Sequence, residues 1–315
     1  MQGSATRSTS PRPANAGPHA LVIGEALVDV IDGRAFPGGS PLNVAVGLSR
    51  LGVPTTLAAR LGDDEHGRLI ADHLRASQVD FSSPEPGAVT SSAEVRLDDA
   101  GHASYDFRLD STLPEATLTD ISLVHTGSLG AVLAPGAAEV ARAFADPGIR
   151  LRSYDPNIRP QLMQDHAATL LAVELLAGRS HIVKLSDEDA AWLYPGSSAD
   201  WVLAHLLELG AALTVLTRGE NGSLARAGEH SIVVPANRVA VVDTVGAGDS
   251  FMSGLLAATL TSPLAATLLA GETPSAQQIG SALEFATHAA GITASRAGAN
   301  PPWTSELADT LSATS

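Results

Sequence analysis

Short runs of apolar residues alternate along this chain with longer segments in which apolar residues recur at helical spacing. Such runs, bounded by polar residues, are typical of buried strands, and the longer segments are typical of amphipathic helices. Their regular alternation predicts a mostly parallel sheet with helices on both faces. The predicted strands cover residues 20–24, 55–62, 122–127, 151–155, 181–186 and 213–219, and helices are predicted over 43–52, 66–77 and 199–210.

Two segments break this alternation. Residues 87–109 alternate polar and apolar positions around a DDAG turn, which predicts a β-hairpin with one solvated face. Residues 29–39 predict a second pair of short strands. We therefore expect a small β lid over a larger α/β core, preceded by a disordered leader rich in Ser, Pro and Ala. The leader is predicted over residues 1–18, the core over 19–28, 43–86 and 111–310, and the lid over 29–42 and 87–110.

The composition narrows the possible functions. A formal net charge of -15 disfavours a general nucleic-acid or membrane surface. The chain has no cysteine, which excludes disulfides and cysteine-based zinc or redox chemistry. No apolar run is long enough for a transmembrane helix, and the first residues lack the apolar core of a signal peptide. These features predict a soluble, cytoplasmic protein that binds neither nucleic acid nor membranes.

Polar residues suited to chemistry cluster where the predicted strands end. Ligands of open parallel sheets bind beyond the carboxyl ends of the strands. Glu25 and Asp29 follow the first predicted strand, and similar residues end the later ones. We expect all of them to line one shared cleft. The later residues are Asp155, Asn157, Arg159, Lys184, Ser186, Asp187, Asp189, Thr217, Gly219 and Gly222.

The stretch DTVGAGDSF, residues 243–251, precedes a long helical pattern. Helix N-termini carry unpaired N–H groups and a partial positive charge, and glycines let a ligand approach those groups closely. The stretch therefore suits an anion such as a phosphoryl group in transfer. Asp249 at the same point suits a base that takes a proton from an attacking hydroxyl. Alternatively, Asp249 is an acidic helix cap and the glycines form a tight turn.

A second glycine pair stands in FPGGSPLNVAVGLSRLG, residues 36–52. Gly38 and Gly39 allow close backbone approach, and the Asn43 amide offers both a donor and an acceptor, which suits sugar hydroxyls. An ordinary loop before a helix start at Pro41 is the alternative. The chain has no P-loop, no Rossmann GxGxxG after the first strand, no HExxH and no GxSxG. A bound nucleotide therefore requires some other binding mode.

Taken together, these motifs resemble those of the ribokinase-like, or PfkB, carbohydrate kinases, and most closely the bacterial fructokinases. GGSPLNVAVGLSRLG is similar to the N-terminal signature of the family, and DTVGAGDSF is similar to its C-terminal signature. GEALVD, DPNIRP, KLSDED, TRGENG and SRAGANPP match in the same order, so the resemblance runs from about Leu21 to Trp303. It implies a ribokinase-like three-layer α/β/α fold with a mostly parallel central sheet and a small β-sheet lid.

The resemblance also implies roles for individual residues. Asp249 would be the catalytic base, and the amides of Gly246, Ala247 and Gly248 would form the anion hole for the transferring phosphoryl group. The implied sugar site comprises Asp29, Gly38, Gly39, Asn43 and Arg108, with Asn157 and Arg159 near the sugar or the phosphates. The implied nucleotide site comprises Lys184, Ser186, Asp189, Thr217, Gly219, Gly222 and His288, and the implied monovalent-cation site comprises Asp243, Val245 and Ala299.

Two of these positions carry particular signals. Lys184 is the only lysine of the chain and falls where the family often has a phosphate-facing lysine, although chance retention at a strand end is the alternative. Ser186 and Asp189 depart from the Asn and Glu that often organise Mg²⁺ and its waters in the family. Both keep an oxygen, so water-mediated magnesium binding stays compatible with the sequence.

The resemblance thus implies an ATP-dependent sugar kinase that acts on a primary hydroxyl, with D-fructose as the first expectation and ATP, Mg²⁺ and K⁺ as the small-molecule requirements. 2-Keto-3-deoxygluconate, ribose, tagatose 6-phosphate and nucleosides are alternative substrates. A non-catalytic sugar- or nucleotide-binding regulator is a different class that the fold also allows. The edges of the predicted lid favour a homodimer, because a second subunit could cover them.

Overall fold

The computed structural model describes residues 17–97 and 103–313, and two separate sheets are present in this part of the chain. The strands, in chain order, are β1 (Ala20–Ile23), β2 (Leu27–Ile31), β3 (Arg34–Gly38), β4 (Thr55–Ala58), β5 (Asp80–Phe81), β6 (Ser91–Leu97), β7 (Ala103–Arg108), β8 (Leu123–Gly127), β9 (Leu151–Asp155), β10 (Ile182–Ser186), β11 (Leu213–Thr217), β12 (Ser223–Ala227) and β13 (His230–Val234). The six strands predicted for the core are therefore confirmed.

The larger sheet has the order β13-β12-β11-β10-β9-β8-β1-β4-β5. Neighbouring strands from β11 to β5 run parallel, whereas β12 and β13 pair antiparallel at one end. Parallel neighbours bring the carboxyl ends of β1, β8, β9, β10 and β11 to one edge of the sheet. The residues that end these strands are therefore close together, as the sequence predicts.

Helices cover both faces of this sheet. They are α1 (Ser40–Arg50), α2 (Glu65–Ala76), α3 (Ser128–Val132), α4 (Gly136–Ala145), α5 (His166–Ala177), α6 (Asp187–Leu193), α7 (Ala199–Leu209), α8 (Ala247–Leu260), α9 (Leu264–Leu269), α10 (Ala276–Ala294) and α11 (Thr304–Ala313). None of the described helices combines the length and the apolar character that a membrane span requires.

Burial on both faces explains the continuous apolar runs of the central strands. In β1, Ala20 and Val22 belong to a hydrophobic cluster shared with α1, α8 and α10, whereas Leu21 and Ile23 belong to a second cluster shared with α4, α5 and α7. Successive strand side chains point to opposite faces, so each apolar run supplies both clusters. The three-layer arrangement predicted from the sequence is confirmed.

The smaller sheet is formed by the two segments that break the strand–helix alternation. Its order is β3-β2-β6-β7, with β2 antiparallel to β3 and parallel to β6. The DDAG turn between β6 and β7 and residues 1–16 of the predicted leader lie outside the described residues. The predicted lid segment 29–42 does not coincide with the strands of this sheet, since β2 begins at Leu27 and α1 begins at Ser40. The boundaries between lid and core stay a prediction.

Candidate active site

Asp249 lies in the first turn of α8 and is only 8% exposed. The hydroxyl of Ser40 donates to its Oδ1 at 2.6 Å, and Nδ2 of Asn43 donates to its Oδ2 at 2.8 Å. Both partners belong to the first turn of α1, about two hundred residues earlier in the chain. The two hydrogen bonds fix the carboxylate and leave it able to accept a proton. Ser40 is a site residue that the sequence did not predict.

The glycine pair before α1 allows this close approach. Gly39 has φ 102°, and a β-carbon there would lie 2.9 Å from the Glu25 carbonyl oxygen. A β-carbon on Gly38 would lie 2.2 Å from Oδ2 of Asp29. The pair therefore serves close backbone approach, and it places Asp29 beside the start of α1. Burial raises the pKa of Asp29, an effect that Arg159 opposes.

The tip of α8 presents unpaired amide groups. Gly246, with φ 73°, precedes the helix, and the Ala247 amide closes a turn by donating to the Thr244 carbonyl at 3.2 Å. Within residues 17–97 and 103–313, the amides of Gly246, Gly248 and Asp249 donate to no other group. Two of the three predicted anion-hole amides are thus free for a ligand, and the third stabilises the turn.

Lys184 brings a positive charge to the same helix tip. Its Nζ lies 2.8 Å from Oδ2 of Asp155, and both side chains are almost completely buried. A β-carbon placed on Gly248 would lie 3.3 Å from Nζ. The predicted phosphate-facing lysine therefore lies next to the free amides of α8.

Ser186 and Asp189 form the capping box of α6. The Asp189 amide donates to the Ser186 hydroxyl at 3.0 Å, and the Ser186 amide donates to Oδ2 of Asp189 at 2.9 Å. Oδ1 of Asp189 accepts the Ile158 amide at 2.7 Å. The two side chains therefore join the end of β10 to the DPNIRP segment. Their predicted part in cofactor binding stays a prediction.

The remaining residues of the predicted sugar site occupy the exposed rim. Arg159 donates to Oδ1 of Asn157 at 2.6 Å, and Asn157 has φ 41°. The guanidinium of Arg159 is close enough to act on the carboxyl groups of both Glu25 and Asp29. Arg108, at the end of β7 in the small sheet, is exposed. Arg159 thus belongs to the segment after β9, whereas Arg108 belongs to the small sheet.

The residues predicted for the nucleotide site fall into two groups. Thr217 pairs with Ser186 at the sheet edge, and Gly219 and Gly222 follow it with φ values of 51° and 77°. A β-carbon on Gly222 would lie 2.1 Å from the Val234 carbonyl oxygen, so that turn requires glycine. His288 lies instead on α10, where its Nδ1 is 2.8 Å from the Glu284 carbonyl oxygen.

The residues predicted for a monovalent cation belong to two segments that Asp243 joins. Its Oδ1 accepts the Val245 amide at 3.0 Å, and its Oδ2 accepts the Gly298 amide at 2.8 Å. These amides lower the pKa of Asp243. A β-carbon on Gly246 would lie 2.6 Å from the Ala299 β-carbon, so the two segments are in contact. Among the described residues, no group of three or more His, Asp or Glu side chains could hold a metal ion.

Residues 20–306 match the family model described as pfkB family carbohydrate kinase. The chain belongs to this family. Membership confirms the predicted enzyme class, a carbohydrate kinase, and agrees with a carboxylate that meets free helix-terminal amides at one point.

Fructokinases are among the relatives of this pfkB family member. The chain is 35% identical to a fructokinase from Rhizobium leguminosarum bv. trifolii over 259 residues, covering 75% of this chain and 78% of the relative. A fructokinase from Xylella fastidiosa, solved with bound ATP, has a TM-score of 0.80 at 25% identity and covers 94% and 98% of the two chains. A fructokinase double mutant from Vibrio cholerae O395, solved with fructose, ADP and potassium, has a TM-score of 0.78 at 25% identity and covers 93% and 98%.

Glu25, which the sequence predicted to line the shared cleft without a specific role, is only 8% exposed. Its Oε2 accepts the Gly130 amide at 3.0 Å. It also lines a small pocket beside α3, together with Ser91 and Asp110. Burial raises the pKa of Glu25 to about 7, although the Gly130 amide, the Ser128 hydroxyl and Arg159 all oppose the shift.

Glu25→Gln is expected to change how folding stability depends on pH. Since the pKa of Glu25 is about 7 when folded and about 4.5 when unfolded, the wild type loses stability as pH rises through that interval. Relative to wild type, the variant should gain about 2 to 3 kcal/mol of unfolding free energy between roughly pH 5 and pH 8. Chemical unfolding at several pH values measures this difference. Parallel curves for the two proteins would contradict it.

Proposed function

We propose that this carbohydrate kinase is an ATP-dependent fructokinase, which transfers the γ-phosphoryl group of ATP to the 6-hydroxyl of D-fructose. The observation that carries the proposal is the meeting of the Asp249 carboxylate, free amides and the Lys184 ammonium at the tip of α8. The fructokinase relatives support the choice of fructose among the sugars that the family phosphorylates.

The chemistry follows from the charges at this helix tip. The 6-hydroxyl oxygen attacks the γ-phosphorus while Asp249 accepts the hydroxyl proton. The bond between the γ-phosphorus and its bridging oxygen to the β-phosphate breaks, and ADP leaves. Negative charge on the transferring group is stabilised by the amides of Gly246 and Gly248 and by Lys184. The Ala247 amide contributes indirectly, because its hydrogen bond to the Thr244 carbonyl stabilises the turn before α8.

The sugar lies between the start of α1 and the lid. Asp29, Asn43 and the backbone at Gly38 and Gly39 hold its hydroxyl groups, with Arg108, Asn157 and Arg159 at the rim. A neutral sugar suits this site, because Glu25 and Asp29 face Arg159 as their common positive partner. A second anionic group on the substrate would meet these two carboxyl groups, which disfavours sugar phosphates.

The nucleotide lies along the ends of β10 and β11. Thr217, Gly219 and Gly222 contact the ribose and phosphates, and the base lies near His288. Support comes from an apolar surface beside α10, where Val239 packs against the Gly291 backbone. Exposed valines of the same segment supply the apolar contact that an adenine ring requires, and they are Val239, Val241, Val242 and Val245.

Mg²⁺ and K⁺ are the proposed ions. Mg²⁺ characteristically keeps several waters and is bound largely through substrate phosphates. That mode suits a site in which both oxygens of Asp189 already accept backbone amides. K⁺ would lie between the segments joined by Asp243, where carbonyl groups near Val245 and Ala299 supply oxygen ligands.

We also propose that the enzyme is a cytoplasmic homodimer. β3 and β7 are the edge strands of the small sheet, and Ile31 and Phe36 of this sheet are each 40% exposed. Exposed edges and apolar residues favour cover by a second subunit. The cytoplasm, which contains ATP, is the proposed compartment. The proposed lid and core divide as the sequence predicts, at about residues 29–42 and 87–110.

A panel of substrates tests the proposed function. ADP release with Mg²⁺ and K⁺ present would be compared for D-fructose, ribose, 2-keto-3-deoxygluconate, tagatose 6-phosphate and nucleosides. We expect kcat/KM for fructose to exceed that for every other substrate by at least about tenfold. ATP hydrolysis without sugar is the control. A higher kcat/KM for another substrate would replace fructose, and binding without turnover of any sugar would favour the regulator hypothesis.

A further inference from the structure

Asp155 and Lys184 form a buried ion pair on the side of the sheet that α8 covers. Their parent strands, β9 and β10, are parallel neighbours, and the two groups lie 2.8 Å apart. Side-chain exposure is 1% for Asp155 and 5% for Lys184. Desolvation makes a buried ion pair weak evidence for stabilisation, and apolar residues of similar size often serve a fold as well. The pair therefore requires an explanation other than packing.

Asp155 is only half satisfied by this pairing. Oδ2 accepts from Lys184, but Oδ1 is buried without a partner in the part of the chain that the structure describes. Buried carboxylate oxygens that serve structure are usually hydrogen-bonded, as both oxygens of Asp189 are. Among the described residues, Lys184 is thus the only hydrogen-bond partner of the Asp155 carboxylate.

Lys184 likewise retains donor capacity. An ammonium has three N–H donors, and within residues 17–97 and 103–313 Lys184 donates only to Asp155. The remaining donors are available to a ligand at the α8 tip, because Nζ lies next to Gly248. One carboxylate therefore anchors the ammonium on one side, and the other side stays available for a phosphoryl oxygen.

The surrounding charges keep this ammonium protonated. Burial alone would lower the pKa of Lys184, but the carboxylates of Asp155, Asp189 and Asp249 raise it overall. Burial raises the pKa of Asp155 to about 6, and Lys184 opposes that shift. Burial and the nearby Lys184 lower the pKa of His125 to about 3, so this neighbour adds no positive charge.

We propose that Asp155 is a positioning residue, which holds the Lys184 ammonium under the tip of α8 so that it binds the γ-phosphoryl group. This inference rests on the proposed phosphoryl transfer. Asp155 itself touches no substrate and acts only through the lysine. Because the chain contains one lysine, no other lysine ammonium can replace the one that Asp155 holds.

Nucleotide affinity tests this role without requiring turnover. Asp155→Asn keeps the shape of the side chain but removes its charge. We expect the variant to bind ADP as wild type does and to bind a non-hydrolysable ATP analogue about tenfold to a hundredfold more weakly, because only the latter carries a γ-phosphate. Isothermal titration of both nucleotides gives the two Kd values. Equal weakening of both would indicate a merely structural role and overturn the proposal.

A double-mutant cycle tests whether Asp155 acts through Lys184. If it does, Asp155→Asn should change neither analogue affinity nor kcat in a Lys184→Met background. A further loss in that background, greater than about threefold, would overturn the proposal. In the wild-type background, kcat should fall by more than tenfold while KM for the sugar stays within about twofold.

Two controls keep the result interpretable. Should Asp155→Asn fail to fold, Asp155→Glu carries the test, since it retains the charge but displaces the ammonium, and it should show the same selective loss of the ATP analogue. Wild-type affinity for both nucleotides tests the proposed function separately. If wild type binds neither, the kinase proposal fails; if wild type and all variants bind both alike, only the role of Asp155 is refuted.

Discussion

Asp249→Asn should lower kcat by about 10²- to 10⁴-fold, which is the usual contribution of a general base. The substitution keeps the shape of the side chain and one oxygen that can accept a hydrogen bond from Ser40 or Asn43. It removes the group that takes the hydroxyl proton, and the free amides of α8 stay in place. Nucleotide affinity and the melting temperature should therefore change little, whereas turnover should be nearly lost.

Ser40→Ala is the matched control for this experiment. It removes the 2.6 Å hydrogen bond to Oδ1 but leaves the carboxylate and its bond to Asn43 intact. A hydrogen bond to a charged group contributes about 1.5 to 3 kcal/mol, but this one is present before the reaction as well as during it. We therefore expect the control to lose only part of that energy from the transition state and to keep at least about a tenth of wild-type kcat. Steady-state kinetics with saturating ATP and sugar measures both variants. An Asp249→Asn enzyme as active as Ser40→Ala would exclude Asp249 as the base.

The strands of the core could be predicted because each one is buried on both faces. β9, for example, has the bounds predicted from its apolar run, residues 151–155. The hairpin of β12 and β13 was not predicted, since its strands contain small and charged residues, such as Ala225 and Arg226, that blur an apolar pattern. The order of the strands in the sheet could not be predicted from the apolar runs either, because that order depends on which strands pair in space.

The active site could be predicted only in part for a related reason. The contact between Asn43 and Asp249 joins residues 206 positions apart, so no local period reveals it. The family motifs implied roles for both residues. Ser40 lies in the same motif but was given no role, because a serine at the start of a helix usually signals a cap. Here Gly39 occupies the cap position and the Ser40 hydroxyl binds Asp249 instead.

The segment from Ser186 to Asp189 shows the opposite case. Ser-x-x-Asp resembles the known capping-box pattern, in which Ser and an acidic residue bond each other's backbone amides. The resemblance to the family implies a cofactor site at these residues, which stays a prediction, and the structure shows in addition that both side chains cap α6. Both oxygens of Asp189 already accept backbone amides, so the local capping motif explains this side chain at least as well as its position in the family does.

Gly246→Ala is expected to combine a loss of stability with a large loss of activity. At φ 73°, an alanine incurs the cost of left-handed backbone, about 1 to 2 kcal/mol. Its β-carbon would also lie 2.6 Å from the Ala299 β-carbon and 2.8 Å from its α-carbon, so backbone must move. The amides at the α8 tip and Asp249 would shift with it, and a displacement of about 1 Å at a reacting centre can lower kcat about 10²-fold.

Gly271→Ala separates the two causes. Gly271 has φ 71° and no atom within 4 Å of a β-carbon, so it carries the same backbone cost without the contact. We expect both variants to lose unfolding free energy in urea, with Gly246→Ala losing more, and only Gly246→Ala to lose kcat. The difference between them measures how strongly the Ala299 segment fixes the helix tip. Unchanged kcat in Gly246→Ala would mean that this tip tolerates displacement, and a rigid anion hole could not then be the source of catalysis.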